Sequence, residues 1–477
     1  MSSTETEQNP AQVSGRQGGG RAFFLRLHFY AAVFVGPFLL IAAISGGLYA
    51  ISPSIEQVMY KDYLRTTDSG PTLPLSEQVR AAQNLRPDLT VTAVRPADGP
   101  GETTRVLFAD PTLGPSERHA VFIDAATAAS HGELTAYGNS GALPMRTWID
   151  QLHRSLHLGD PGRIYSELAA SWLGVIALGG VYLWISRYRR SRSRGPGQAR
   201  LLTVDRSASG RSRTLGWHGA VGIWIAVGLV FLSATGLTWS TYAGANVDEL
   251  RTALSWTTPA VSKTLDGDLD PTPSAGGHDH GTSATPAPQT AAPKVEQLDR
   301  VLQSARDAGI GGKVEVSIPP NADTAFTVTQ TRQPWVMSNN SVAINGDTGE
   351  VTDILWFADW PLAAKLAAWG IQLHMGVLFG LVNQLAMVAL AAALATVIVR
   401  GYLMWWRRRP TKGDRPVGRP PRRGALAALP APAAVAVVVA AVAVGWFIPL
   451  LGVSLAVFVA IDALLGVRQS RRTTAQP

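Results

Sequence analysis

Four long apolar stretches alternate with polar regions along the chain. The apolar stretches run from Phe29 to Ile51, Ile164 to Ile185, Val221 to Trp239 and Met375 to Val399. A run of about 20 apolar residues matches the hydrocarbon core of a bilayer, which is about 30 Å thick. We therefore predict an α-helical multi-span membrane protein with four core spans.

Two further apolar runs lie near the C-terminus, Ala431 to Phe447 and Leu450 to Val467, on either side of Ile448-Pro449. They contain no histidine. We predict an appended transmembrane hairpin without chemistry of its own, which brings the number of spans to six.

Each of the two large polar regions predicts a helix followed by short strands between Pro, Gly and Asp turns. In the first region the helix is Leu75–Leu85, with Ser76 as its candidate cap, and the strands are Thr90–Arg95, Arg105–Phe108 and Ala120–Asp124. In the second, the helix is Lys294–Ala308 and the strands are Lys313–Ile318, Ala325–Gln330 and Ser341–Asn345. The pattern predicts two small α+β domains and an internal two-fold repeat of span, domain and span.

The predicted order of segments follows from these patterns. It is a disordered tail 1–22, a span 23–51, an α+β domain 52–150, a span 151–186, a basic loop 187–214, a span 215–241, an α+β domain 242–360 with a flexible linker 257–293, a span 361–406, a basic loop 407–424, the hairpin 425–467 and a tail 468–477.

Charge sets the expected orientation. Only 16% of the 477 residues are charged, and the net charge of +8 is concentrated in the basic segments between and beside the spans. The positive-inside rule places both termini and both basic loops in the cytoplasm and the α+β domains outside it, as in a bacterial inner membrane. The first span lacks a cleavage site and predicts an uncleaved signal anchor. This charge pattern indicates membrane topology and not a nucleic-acid surface.

Two absences from the sequence limit the redox chemistry. There is no cysteine, which excludes disulfides, iron–sulfur clusters, thiolate-ligated haem and covalently attached haem. There is no strand–Gly-x-Gly-x-x-Gly–helix fingerprint, so no nicotinamide or flavin domain of that type is predicted. If the protein carries out redox chemistry, its electrons would have to come from a membrane quinol or a cytoplasmic reductase.

Four histidines stand at the ends of the core spans. His28 and His218 lie at the predicted cytoplasmic ends of the first and third spans. His153 and His374 lie at the outer ends of the second and fourth, each within a Leu-His-x5-Gly motif. Ionisable residues in spans are usually functional, and neutral imidazole is a good iron ligand. The set predicts two b-type haems, one at each face, while a snorkelling or hydrogen-bonded role for each histidine is the structural alternative.

Several other residues allow a functional and a structural interpretation. His157 is an alternative ligand one helical turn after His153. Arg163 either neutralises a haem propionate or anchors the span at the interface, and its spacing to Glu167 predicts an ion pair. The remaining candidates are Asn383 and Gln384, for cofactor contact or helix packing, Asp462, for a pair with Arg468, and His278 and His280, for a loose metal site or a solvated loop. No catalytic residue is predicted.

The motifs resemble those of the PepSY-associated transmembrane family, bacterial iron-regulated membrane proteins of siderophore uptake loci. The resemblance covers Phe24 to Arg409. It rests on Leu152-His153-Arg154-Ser155-Leu156 with Gly159 to Arg163, on Leu373-His374-Met375-Gly376 with Phe379-Gly380, on Tyr182-Leu183-Trp184 and Gly401 to Arg408, and on Asn345 to Val351. The first domain departs from the pattern, because Asp124-Ala125-Ala126-Thr127 lacks the glycine.

The resemblance implies a haem-containing membrane reductase that delivers electrons to ferric siderophores. Its expected partners are the lipid bilayer, a ferric siderophore or other small iron complex, and a quinol or cytoplasmic reductase as donor. Two other classes remain open from the sequence, a siderophore or haem permease component and a non-enzymatic PepSY binding or regulatory protein.

Overall fold

The computed structural model describes residues 19–474, apart from 69, 196–199, 266–293, 332–334, 336–337 and 408–429. The predictions for residues 1–18, for His278 and His280 and for most of the loop 407–424 therefore lie outside the described residues. The chain divides into a helical unit, formed by Met1–Gly47, Leu152–Glu249 and Val388–Pro477, and a sheet unit, formed by Leu48–Gln151 and Leu250–Met387.

The described helices and strands are as follows. The helices are α1 Gly19–Met59, α2 Lys61–Leu64, α3 Leu75–Leu85, α4 Pro144–Ser155, α5 Asp160–Arg194, α6 Gly210–Leu237, α7 Tyr242–Ala253, α8 Leu298–Asp307, α9 Leu362–His374, α10 Gly380–Trp406, α11 Ala431–Phe447 and α12 Pro449–Thr474. The strands are β1 Thr90–Arg95, β2 Thr103–Ala109, β3 Glu117–Asp124, β4 Ser130–Tyr137, β5 Val314–Ser317, β6 Phe326–Gln330, β7 Ser341–Ile344 and β8 Val351–Leu355.

Four helices in the described part of the chain, α1, α5, α6 and α10, are long and apolar enough to cross a membrane. This agrees with the four core spans of the sequence. The apolar parts of the last two helices, Ala431–Phe447 and Pro449–Leu465, are shorter. The predicted fourth span is also divided, because α9 ends at His374 and α10 begins at Gly380.

The helical unit has one apolar core, to which all four long helices contribute. On α1 the buried residues Ala31, Val35 and Leu39 recur every four positions, so they form one face of the helix. Small residues let neighbouring helices approach closely. A Cβ at Gly174 would lie 2.9 Å from Oγ of Ser233, whose hydroxyl donates to the carbonyl of Ala170 at 2.7 Å.

The C-terminal hairpin packs on this core. Leu451 of α12 is buried in it, and Nε1 of Trp172 donates to Oγ of Ser454 at 3.0 Å. Asp462 forms an ion pair with Arg26 of α1. The side chain of Arg468, the partner that the sequence predicts for Asp462, lies outside the described residues, so that pair stays a prediction.

The sheet unit contains one eight-stranded antiparallel sheet of order β4-β3-β2-β1-β5-β6-β7-β8. Strands β1 and β5 pair at its centre, with Val94 opposite Val316. Residues from both α+β regions, such as Phe108 and Phe326, share one apolar core. The two regions that the sequence predicts as separate domains are therefore halves of a single sheet.

A group of opposite charges crosses the central strand pair. Glu315 of β5 accepts hydrogen bonds from Arg95 of β1 at 2.6 Å and from Arg118 of β3 at 3.0 Å. Burial alone would raise the pKa of Glu315, but the two guanidinium charges outweigh it and lower the pKa to about 2. The carboxylate thus stays charged at neutral pH and links the two halves of the sheet.

The sequence located α3, β1, β2, β5, β6 and β7 within two residues at each end, but it misplaced the ends of the long helices and missed α2, α4, α7, β4 and β8. Its proposed cap for α3 is also wrong. The N-cap residue of α3 is Pro74, and Asp299 of α8 accepts hydrogen bonds from the first-turn residues Leu75 and Ser76. The cap comes from the other half of the sheet, so local sequence could not reveal it.

Candidate functional site

Two of the predicted ligand histidines meet in the helical unit. His28 of α1 and His218 of α6 have ring centroids 6.4 Å apart, and their planes make an angle of 82°. Both lie close to the N-terminus of their helices. The structure therefore brings together a pair that the sequence separates by most of the first half of the chain.

The Nδ1 atom of each ring contacts a backbone carbonyl of a third or fourth helix. Nδ1 of His28 lies 3.0 Å from the oxygen of Ile176 on α5, and Nδ1 of His218 lies 2.9 Å from that of Val397 on α10. A carbonyl only accepts, so Nδ1 carries the proton and donates it. Each neutral ring then keeps the lone pair of Nε2 for another partner, which is the arrangement typical of a metal-ligating histidine.

Glycines lie beside both rings. A Cβ at Gly180 of α5 would lie 3.2 Å from Cε1 of His28, and one at Gly401 of α10 would lie 3.6 Å from Cε1 of His218. Larger side chains at these positions would press against the rings. The absence of a side chain at each glycine therefore lets the imidazole pack close to the helix backbone.

The distance between the rings fits a shared metal ion. Two imidazoles that held one metal ion through bonds of about 2.0 Å, with about 1.2 Å from each nitrogen to its ring centre, would have ring centroids at most about 6.4 Å apart. The observed separation is 6.4 Å. The described residues contain no group of three or more His, Cys, Asp or Glu placed to hold a metal ion.

His153 is held in a similar way further along α1. It lies on α4, and its Nδ1 is 3.0 Å from Oγ of Ser45, whose hydroxyl also contacts the carbonyl of Ile41 at 2.8 Å. A Cβ at Gly46 would lie 2.9 Å from Cε1 of His153. From His28 to Ser45, helix α1 rises about 26 Å at about 1.5 Å per residue. His28 and the Ser45 that contacts His153 therefore lie towards opposite ends of this span.

The fourth histidine, His374, is the last residue of α9 and belongs to the sheet unit. Its pairing with His153 therefore stays a prediction.

His157 is exposed and follows the end of α4 at Ser155, with a positive φ of 56°. The argument that placed it one helical turn from His153 is wrong, because the helix has already ended.

The predicted ion pair between Arg163 and Glu167 is absent from the described residues. Glu167 is buried, and its carboxylate accepts the backbone N–H groups of Tyr242 at 3.0 Å and Ala243 at 2.9 Å. It therefore caps the N-terminus of α7. Arg163 lies in the first turn of α5, and the structure leaves its two proposed roles open.

Asn383 and Gln384 take the structural role. Asn383 donates to the carbonyl of Leu373 at 3.0 Å and accepts from the backbone of Leu378 at 3.1 Å, which fixes the turn between α9 and α10. Gln384 accepts from Oγ of Ser54 on α1 at 2.7 Å. Both amides serve helix and turn packing.

Comparison with protein families gives one match. The model of the PepSY-associated TM region covers residues 25–408, which includes all four histidines and both halves of the sheet. The chain belongs to the PepSY-associated transmembrane family. Together with the apolar helices, membership shows that it is a multi-pass membrane protein. No curated protein matches the chain.

Sequence reasoning missed the groups that orient the histidines. Ile176 and Val397 act through backbone oxygens, which leave no mark in a sequence. The glycines can be recognised in the sequence, because the number of residues from His153 to Gly180 equals the number from His374 to Gly401. Aligning the two halves on their histidines would have found both glycines.

Proposed function

We propose that this member of the PepSY-associated transmembrane family binds b-type haem and carries electrons across the membrane. The observation that carries the proposal is the pair His28–His218, whose Nδ1 atoms each contact a backbone carbonyl and whose ring centroids lie 6.4 Å apart, a separation that would suit two histidines holding one iron. Bound haem would supply one-electron redox chemistry.

The protein's own groups determine how such a haem is held. The carbonyls of Ile176 and Val397 keep both Nδ1 atoms protonated and make the imidazoles stronger donors at Nε2. Gly180 and Gly401 let the two rings pack close to the backbone of neighbouring helices. The surrounding apolar core excludes water and thereby influences the redox potential.

The second haem is proposed between His153 and His374. Ser45 orients His153, and Gly46 lies next to its ring, so one of the two ligands is prepared as at the first site. Arg163 is proposed to neutralise a propionate. Two sites near opposite ends of α1 suit a bilayer that is about 30 Å thick, since one haem could not serve both faces.

The internal repeat supports both sites. Ile176 follows His153 at the same distance at which Val397 follows His374, and each provides the carbonyl that contacts the first histidine of its own half. We infer that the two halves of the chain are repeats of span, half-sheet and span. The proposed orientation has the sheet outside a bacterial inner membrane and the termini in the cytoplasm.

The proposed acceptor is a ferric siderophore or similar iron complex at the outer face, and the proposed donor is a quinol or cytoplasmic reductase. Oxygen-donor sites prefer Fe(III), so reduction would release the iron. The test mixes dithionite-reduced protein with ferric siderophores in a stopped-flow instrument, with a ferrous chelator as trap. We expect haem reoxidation with matching Fe(II) formation, slowed by His374→Ala. Reduced haem that is oxidised by quinone or oxygen but by no ferric complex would contradict the reductase assignment.

A further inference from the structure

A cavity of about 500 Å³ lies between the beginning of α6 and the end of α10. Six residues line it: Gly210, Arg213, Thr214, Trp217, Arg400 and Arg407. Three are arginines, and none of the six is acidic. The cavity therefore presents a concentrated positive charge where two membrane helices end.

Two of the three arginines have contacts to neutral groups among the described residues. Arg400 stacks on the ring of Trp217, with Cζ 5.4 Å from the centroid, and its Nε is buried without a hydrogen-bond partner among the described residues. Arg407 donates to Oγ1 of Thr214 at 3.2 Å. The unpaired buried donor of Arg400 favours binding of an anion.

The backbone adds to the positive character. Helix α6 begins at Gly210, so the N–H groups of its first turn and the positive end of its dipole face the same region. Arginine forks and a helix N-terminus together match the oxygens of a phosphate group. Trp217 is 40% exposed, which suits the amphipathic zone where lipid headgroups lie.

We propose that this cavity binds the phosphate headgroup of an anionic membrane lipid. The site lies where the apolar parts of α6 and α10 end, which is the depth of headgroups, and its volume exceeds that of a free phosphate ion. The bound headgroup bridges the helix that carries His218 and the helix whose Val397 carbonyl orients that histidine. Binding of a headgroup in this cavity does not depend on haem and is separate from the proposed electron transfer.

The test is native mass spectrometry of the full chain in detergent, titrated with dioctanoyl phosphatidylglycerol. We expect saturable binding that weakens as salt rises, and much weaker binding of dioctanoyl phosphatidylcholine. Arg213→Gln and Arg407→Gln should each weaken phosphatidylglycerol binding about fivefold. Arg194→Gln, at the exposed end of α5, makes the same charge change outside the cavity and should leave binding unaltered.

Arg213 and Arg407 are exposed, so their variants should fold, and a thermal unfolding curve checks this. Unchanged affinity in both variants would overturn the proposal. Equal binding of the two lipids would also overturn it, because the cavity would not select an anion. Displacement of the lipid by an equal concentration of inorganic phosphate would overturn the lipid assignment.

Discussion

Each histidine of the pair His28–His218 contacts a backbone carbonyl of a neighbouring helix. A histidine in an apolar span is uncommon, so the two histidines could be selected from the sequence as a pair. Their partners at Ile176 and Val397 could not, because any residue offers a carbonyl. For Glu167 the prediction was wrong, because its spacing to Arg163 suggested an ion pair. Its buried carboxylate instead accepts hydrogen bonds from the first residues of α7 and caps that helix.

The charge group at the centre of the sheet predicts a pH dependence. The folded pKa of Glu315, about 2, lies below the ordinary 4.5, so its stabilisation is complete above pH 4.5 and is lost as the pH falls through 2. The shift corresponds to about 3 kcal/mol. Glu315→Gln should lower the free energy of unfolding at pH 7 and flatten its dependence between pH 2 and 4.5.

Denaturant unfolding of the full chain at several pH values, followed by tryptophan fluorescence, measures this effect. Glu350→Gln is the matched control, because Glu350 is exposed at the turn before β8. Equal pH profiles for the wild type and Glu315→Gln would contradict the assigned role.

Elements were predictable in proportion to the regularity of their pattern. Strand β1 and the apolar centres of the four long helices were recognised, because burial repeats along them with a clear period, but the ends of those helices were not. Helices α4 and α7 were missed because they are short and lie at the ends of spans, where the apolar pattern breaks off. The hydrogen bonds that cap α3 and α7 join residues distant in sequence, which periodicity does not record.

The cap on α7 can be tested directly. Glu167→Gln removes the negative charge and leaves one amide oxygen for two backbone N–H donors, so it should destabilise the protein by about 1–2 kcal/mol. The measurement is the thermal unfolding midpoint in detergent. Glu249→Gln, at an exposed position on α7 itself, should have little effect. Identical midpoints for the wild type and Glu167→Gln would show that the cap contributes nothing.

For the molecule as a whole, the number of core spans and the family could be predicted from the sequence, but the joining of the α+β regions could not. The pairing of β1 with β5 depends on how the two halves of the sheet meet in space. The sequence of an edge strand does not show which other strand it will pair with. The sequence therefore predicted two domains where the structure has one sheet.

The proposed orientation makes a prediction at this scale. Since the chain has no cysteine, Asp98→Cys and Ser209→Cys each introduce one unique thiol at an exposed position. An impermeant thiol reagent should label Asp98→Cys in spheroplasts, whereas Ser209→Cys should react only after lysis. Labelling of Ser209→Cys alone in sealed spheroplasts would invert the topology.

His28 and His218 are proposed to share one haem. The measurement that tests this is the pyridine haemochrome content of the purified protein, determined for the wild type, His28→Ala, His218→Ala and the control His131→Ala in the sheet. We expect about two haems per chain in the wild type and the control, and the loss of one in each of the two span variants. Full haem content in both span variants, or no haem in the wild type, would contradict it.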